Sequence, residues 1–537
     1  MNKPLDPHVL RPDAFGHLTA EAAELDLPPD DIAQSPTRLY LSGIQALVHL
    51  PILQRLRDQA AGLNTAGFIS GYRGSPLGVF DEALWKAKKL LDEHHVRFEP
   101  GINEDLGATM VWGTQQVNLF PRARYDGVFA MWYGKGPGVD RTMDVFKHAN
   151  AAGTSPHGGV LAIAGDDHGS KSSTLPHQSE QMFAAAMMPV LNPSGVQDYL
   201  DLGIHGWALS RYSGCWVGLK ATGDTVESSA CVYVDPNRVD VRLPEDFDLP
   251  PGGLNIRWPD PPLDQELRLQ RYKVYAAMAY ARVNRLNRIV MDSPQARLGI
   301  ITTGKAYLDV CQALDALGID EGLAAQIGLR VFKIGMSWPL DAEGVRQFAQ
   351  GLEEILVVEE KRPLLEHQVK EQLYNWREDV RPHVIGKYDD KGEWELPMAA
   401  WQLPAAGELT PALIARVIAR RIARFHTSER IEKRVAFLET KALAQSSLTI
   451  ARVPHFCSGC PHNTSAMNVP EGSRVLAGIG CSYMGIWLTP TTSVTPRISP
   501  PRIAKNRWPR IVSTTESEAS TPTNISTKRK SIRIAPV

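Results

Sequence analysis

Between residues 38 and 220 short apolar runs alternate with longer stretches of helical spacing, and this alternation limits the chain to one class of fold. TAGFIS reads as a strand. FDEALWKAKKLLDEHH reads as a helix, because Ala83, Leu84, Ala87, Leu90 and Leu91 recur at helical spacing. EDLGATMVWGTQQVNLF is a second expected helix, GVFAMWY a strand, GVDRTMDVFKHANAAG a helix and GVLAIAGDD a buried strand. Strands that alternate with helices predict a parallel sheet covered on both faces, with ligands bound beyond the carboxyl ends of its strands.

A second α/β unit is expected over 295–385: RLGIITTG, LRVFKIG and EEILVVEE as strands, with the helices KAYLDVCQALDALG, AEGVRQFAQGL and LLEHQVKEQLYNW between and after them. It shows no convergent polar cluster and reads as a structural or docking domain. Residues 226–294 are richer in Pro and charge and read as a connecting segment, and 386–449 as a linker region. A third unit opens near 450, and residues 1–37 form an N-terminal extension. The fold class expected is therefore multi-domain α/β, with parallel sheets and flanking helices.

Charge narrows the function. Net charge is −1, and from Thr489 onward nine Lys and Arg face two Asp and Glu, so the body gives no electrostatic reason to expect nucleic acid. The stretch from Thr489 to Val537 lacks glycine and periodicity, and it reads either as a disordered basic tail or as an out-of-frame terminus. No apolar run approaches the roughly 18 to 20 residues that span a bilayer. The opening MNKPLDPHVLRPDAFG lacks a secretory layout, so a cytoplasmic protein without membrane partners is expected.

Four stretches carry candidate chemistry. GFISGYRGSPLG runs a strand into a Gly/Pro turn before a helix, a place where backbone N–H groups hold anions. There Arg73 and Ser75 are candidates for a substrate carboxylate, although the turn is equally explained by its need for small residues. GINED sets Asn103, Glu104 and Asp105 at a helix start, where acids also serve merely to complement the helix dipole. AGDDHGSKSSTLPHQSEQ places His168 and His177 in a polar loop after a strand. Its spacing fits an active-site loop better than a metal site. FCSGCPHN with GIGC sets Cys457, Cys460 and Cys481 as thiolate ligands, for zinc with His462 or for an iron–sulfur cluster that lacks a fourth thiolate. Cys215, Cys231 and Cys311 stand singly and are expected to be core residues. No G-x-S-x-G or P-loop occurs, which argues against hydrolase and phosphotransferase chemistry.

Taken together, YLSGIQALVHLP, GFISGYRGSPLG, GINEDLGATMVWGTQQVN, MWYGKGPGVDRTMDVFKHANAAGT, AGDDHGSKSSTLPHQSE, RYSGCWVGLK, FCSGCPHN and AGIGC resemble indolepyruvate ferredoxin oxidoreductase in its long fused bacterial form. That family belongs to the thiamine-diphosphate 2-oxoacid:ferredoxin oxidoreductases. The resemblance implies oxidative decarboxylation of an arylpyruvate to its acyl-CoA, with electrons passed through iron–sulfur clusters to ferredoxin. Thiamine diphosphate, Mg2+ and an iron–sulfur cluster are the implied cofactors. The 2-oxoacid, coenzyme A and ferredoxin are the implied partners, and a homodimer the implied assembly. It implies a pyrimidine-binding domain over 38–225, a transketolase-C-like domain over 295–385 and the start of a pyrophosphate-binding domain over 450–488.

Within that resemblance Glu104 becomes the carboxylate that activates the cofactor's aminopyrimidine, with Asn103 and Gly74 beside the cofactor. Ser75 becomes the hydroxyl of the substrate-facing turn, and Cys457, Cys460 and Cys481 become cluster ligands. The family pattern would continue past GIGC to a G-D-G motif with a downstream Asn, which holds magnesium and diphosphate. No such motif follows Leu488. The expectation is accordingly an incomplete version of such an enzyme, against two alternatives: a catalytically silent remnant and a zinc-stabilised binding protein.

Overall fold

A computed structural model of the chain describes residues 37–171, 173, 175–388, 401–444, 456, 461 and 463. Two sheets organise these residues. The first has seven strands in the order β12-β6-β7-β5-β4-β2-β3. They are β2 (Thr65–Gly71), β3 (Val96–Phe98), β4 (Gly127–Lys135), β5 (Val160–Asp166), β6 (Val190–Leu191), β7 (Val217–Thr222) and β12 (Met336–Trp338). All pair in parallel except β12, which runs antiparallel to β6.

Side-chain alternation explains why both faces are covered. Phe129, Met131 and Tyr133 of β4 enter one core, with Leu161 and Ile163 of β5, beneath the Gly43–Ala60 and Val196–Ser213 helices. Ala130 and Trp132, with Val160, Ala162 and Ala164, enter the opposite core beside Val111, Phe146 and Phe183. A parallel sheet buried on both sides has to read as a near-continuous apolar run, as GVFAMWY and VLAIAG do.

The second sheet, in the order β14-β13-β10-β11-β9, comprises β9 (Asn287–Met291), β10 (Leu298–Thr303), β11 (Leu329–Ile334), β13 (Glu354–Val358) and β14 (His383–Ile385). Its alternation works the same way: Leu298, Ile300, Leu356 and Val358 face one core, while Ile301, Ile355 and Val357 face the other.

The structure corrects the expected linkers. Within 226–294, β8 (Ser229–Val234) pairs antiparallel with β1 (Thr37–Ser42). The helical run from Pro262 to Val283 docks on the first unit. Buried Lys273 pins that run, donating from Nζ to the carbonyls of Asn150 (3.0 Å) and Ala151 (2.9 Å) at the end of the Met143–Ala152 helix. Within 386–449, the Pro411–Ile422 and Glu429–Ala444 helices belong to the second unit, to whose core they give Ile414, Val417, Ile418, Ile422 and Ile431. Pro and charge mislead here because the prolines mark the loops and helix starts between elements, while the charges lie on the outer faces of helices whose inner faces are apolar.

Of the single cysteines, Cys215 is buried as expected, whereas Cys231 and Cys311 are exposed. Cys231 lies on the outer face of the two-stranded β1–β8 sheet, where alternate residues meet solvent. Among the described residues no helix is long and apolar enough to cross a membrane.

Candidate functional site

The site lies at the carboxyl ends of β2, β4 and β5. Beyond β2 the chain turns through Tyr72-Arg73-Gly74-Ser75, and β4 runs into the short Gly136–Arg141 helix. The Glu104–Gln115 helix begins directly over the end of β2: a Cβ on Gly107 would stand 3.0 Å from the Gly71 Cα. That approach needs glycine at 107, while Gly71 itself is needed against the Tyr133 carbonyl, which a Cβ there would meet at 2.0 Å. Asn103 caps this helix, its side-chain oxygen accepting from the Leu106 N–H at 2.9 Å. The Trp132 indole N–H donates to the Glu104 carbonyl at 3.0 Å, tying the helix start to the sheet.

The GKGPG segment is the floor on which these motifs meet. A Cβ on Gly74 would lie 2.8 Å from Lys135 Cβ, one on Gly136 would lie 2.4 Å from His177 Cδ2, and one on Gly138 would lie 2.6 Å from Glu104 Cγ. The Gly74 turn, the PHQSE histidine and the GINED carboxylate therefore pack along one ridge, at Lys135, Gly136 and Gly138 in turn, and its two glycines there must lack side chains. Glu104 keeps 15% side-chain exposure, with Oε2 3.6 Å from Arg141. Arg141 is held in place by Asp105, whose carboxylate accepts from its guanidinium at 2.8 and 3.2 Å. His177 Nε2 pairs with Asp140 at 3.2 Å, and burial pushes the Asp140 carboxyl up while the histidine pulls it down.

Of the residues singled out in the sequence, Gly74, Asn103, Glu104 and His177 thus share this site, with Ser75 half-buried on the same turn. Arg73 turns instead to Asp81, 3.5 Å away, whose buried carboxyl is pushed up by desolvation. His168 faces away from the ridge, although its Nδ1–H donates to the His177 carbonyl at 2.9 Å. Cys457, Cys460, His462 and Cys481 lie outside the described residues. Among the described residues no group of three or more His, Cys, Asp or Glu is arranged to hold a metal ion.

Two features escaped the sequence. The glycines of GKGPG are unremarkable until their neighbours are known; their alternate spacing was the available signal. The second unit does hold a convergent polar cluster, contrary to expectation. Lys305 Nζ donates to Asp309 (2.7 Å), to Glu360 (3.2 Å) and to the Leu409 carbonyl (2.9 Å). Glu359 accepts from the backbone N–H groups of Leu364, Leu365 and Glu366 at 2.9 to 3.0 Å. Burial pushes its carboxyl up to about 7, against the pull of those donors, and its own carbonyl accepts from buried Lys387. The charges come from three places, Lys305 and Asp309 after β10, Glu359 and Glu360 after β13, and Lys387 after β14, so no one local motif announces the cluster.

With this geometry in place, the molecule is defined as a multi-domain α/β protein with parallel sheets flanked by helices, a fold it shares with a 2-oxoglutarate:ferredoxin oxidoreductase. The 2-oxoglutarate:ferredoxin oxidoreductase of Magnetococcus marinus, solved with 2-oxoglutarate, coenzyme A and succinyl-CoA bound, superposes with a TM-score of 0.51 at 16% identity, over 72% of this chain and 65% of that one. Residues 287–448 match the indolepyruvate ferredoxin oxidoreductase middle domain. The indolepyruvate oxidoreductase subunit IorA of Methanothermobacter marburgensis is 26% identical over 475 residues, 85% of this chain and 66% of the relative. IorA of Pyrococcus abyssi is 25% identical over 395 residues, 71% of this chain and 55% of the relative. The chain is thus similar to IorA at about one quarter identity, and it spans less than two thirds of the length of these relatives.

Proposed function

We propose that this chain carries the cofactor-activating half-site of an indolepyruvate:ferredoxin oxidoreductase. The overall reaction is conversion of an arylpyruvate and coenzyme A to the acyl-CoA and carbon dioxide, with two electrons leaving one at a time to ferredoxin. The observation that carries the reading is the seating of Glu104: a partly open carboxylate at a capped helix start, laid on Gly138 beside the Ser75 turn.

That arrangement fits the aminopyrimidine end of thiamine diphosphate, since a flat ring needs a floor without side chains and a carboxylate at its edge. When bound, the cofactor supplies the carbon nucleophile and the electron sink. The chain's own part is to hold a proton at the Glu104 carboxylate, with Asn103 and Trp132 fixing the backbone that presents it. Arg141 keeps Glu104 turned toward the ridge, and Ser75 is assigned to the substrate's carboxylate or keto oxygen. Magnesium finds no matching ligand group among the described residues, so no step is derived through it. Cys457, Cys460 and Cys481 are assigned to the cluster.

Calorimetric titration of the full chain with thiamine diphosphate and Mg2+ tests the reading. Binding is expected, and it must be followed by indolepyruvate- and coenzyme A-dependent reduction of ferredoxin by the anaerobically purified protein. A folded protein that binds no cofactor would overturn the proposal.

A further inference from the structure

Where the two units meet, the carboxyl ends of β5 and β7 face those of β10 and β13 across a small, largely enclosed cavity. Its free volume of about 10 Å³ matches one water molecule, and His168, Glu180, Lys220, Lys305, Ser337 and Glu360 are among its lining residues. Three of these side chains have a buried polar atom with no hydrogen-bond partner: His168 Nε2, Glu180 Oε2 and Ser337 Oγ. Their residues are 2%, 4% and 1% exposed, so bulk water does not serve them. Leaving such atoms unpaired forfeits their hydration with nothing in return, which makes three around one cavity a strong sign of something between them.

The chemistry of the missing partner follows from hydrogen-bond accounting. His168 Nδ1 carries a hydrogen, because it faces the His177 carbonyl at 2.9 Å. Burial and the nearby Lys220 ammonium keep the ring neutral, so Nε2 presents only a lone pair. Glu180 holds Lys220 Nζ through Oε1 at 2.5 Å, which leaves Oε2 as a second bare acceptor. Lys305 has all three of its donors engaged by Asp309, Glu360 and Leu409. Ser337 brings one hydroxyl. The occupant must therefore donate twice, and it has room to accept once.

We propose that this cavity is a binding site for a single buried water that donates to His168 Nε2 and Glu180 Oε2 and accepts from the Ser337 hydroxyl. Three hydrogen bonds are the usual number for a buried water. A metal cation is the wrong guest, since two ammonium groups already line the cavity and only two anionic or lone-pair acceptors remain free. The site joins three segments: the end of β5 through His168, the Glu180–Ala185 helix, and β12, the edge strand of the first sheet, through Ser337. The water thereby fastens His168, and through it the His177 carbonyl, to the edge strand that the chain adds to the first sheet directly after β11. It is independent of the function proposed above.

A structure of the full chain at a resolution that shows ordered solvent decides the matter, together with hydrogen exchange of peptides covering 167–178 in the wild type and in Ser337→Val. The expected result is one spherical density peak at hydrogen-bond distance from all three atoms, absent in Ser337→Val, with loop exchange at least about five-fold faster in the variant, as the loss of one hydrogen bond requires. Three results would overturn the proposal. They are an empty wild-type cavity, direct pairing of His168 Nε2 with Glu180 or Ser337, and a peak with the short contacts of a bound metal ion.

Discussion

The carboxyl ends of both sheets gather charged side chains, yet they treat them in opposite ways. On the outer side of the first sheet Glu104 lies partly open on a glycine ridge, touched by a single guanidinium at 3.6 Å. Where the units meet, Lys220, Glu180, Glu359 and Glu360 are sealed in beside the half-buried Lys305, and most of their donors and acceptors are matched. A charge that is nearly fully paired and buried has little left to offer a ligand; it holds two units in register. A carboxylate left half-served over a floor without side chains is available for one. Function should therefore fail first at the ridge, and stability first at the junction.

The sharpest way to break that contrast is Glu104→Gln. The amide keeps the shape, so the melting temperature should stay within a degree or two, while turnover of indolepyruvate falls by about 10²–10⁴-fold, the scale of a lost acid–base group. Unchanged turnover would remove the ridge from the chemistry. Lys220→Met is the mirror experiment. It strands Glu180 and Asp166 in a buried site, where breaking one side of an ion pair costs about 3–5 kcal/mol. Calorimetry should show a lower unfolding temperature whether or not any cofactor is present. Gly138→Ala comes next, because its new Cβ would fall 2.6 Å from Glu104 Cγ. Overpacking of this kind costs about 1–3 kcal/mol. The effect should appear as weakened thiamine diphosphate binding with near-normal folding, whereas Gly113→Ala, where a Cβ meets nothing within 4 Å, should do neither.

How much of this was legible in the chain follows the same divide. The strands VLAIAGD and LGIITT and the helix GKAYLDVCQALDAL stand where periodicity puts them, because an apolar period is a local property. FDEALWKAKKLLDEHH reads as one helix but forms two, Phe80–Lys86 and Lys88–Glu93, with the break at Ala87. No Gly or Pro marks the break; periodicity does not see it. Glu104 was visible through its motif, since Asn-Glu-Asp is a helix start as well as a candidate site. The floor beneath it and the junction cluster were not, because Gly138 meets Glu104 across 34 residues of sequence and Lys305 meets Glu360 across 55. Contacts at such separation are set by sheet order, which no local pattern encodes.

The junction's own weakness is acid. His168 is held neutral, its pKa driven well below the ordinary value by burial and by Lys220. A group depressed in this way binds its proton more readily in the unfolded chain. The stability it contributes is therefore complete above the unfolded value near 6.5 and is lost as pH falls below it, by up to about 1.4 kcal/mol per pH unit. His49, buried and pushed down to about 3 by desolvation, acts in the same direction. The diagnostic quantity is thus a difference: unfolding free energy between pH 7 and 5 should fall less steeply in His168→Gln than in the wild type. Equal slopes would mean that the junction tolerates a charged imidazole.

The smallest effect returns to the ridge and separates holding from chemistry. Asn103 contributes one capping bond to the Leu106 N–H, and its replacement by Ala should cost about 1 kcal/mol, a typical cap. Because the Trp132 indole also grips the Glu104 carbonyl, the helix should stay formed and only its first turn should loosen. Amide exchange at residues 104–107 should then rise while the rest of the Glu104–Gln115 helix stays protected. Cofactor affinity should weaken by a few-fold, far less than Glu104→Gln weakens turnover. If Asn103→Ala instead matched the loss seen in Glu104→Gln, Asn103 would itself meet the ligand, and the ridge would contain two functional side chains where the geometry argues for one and its support.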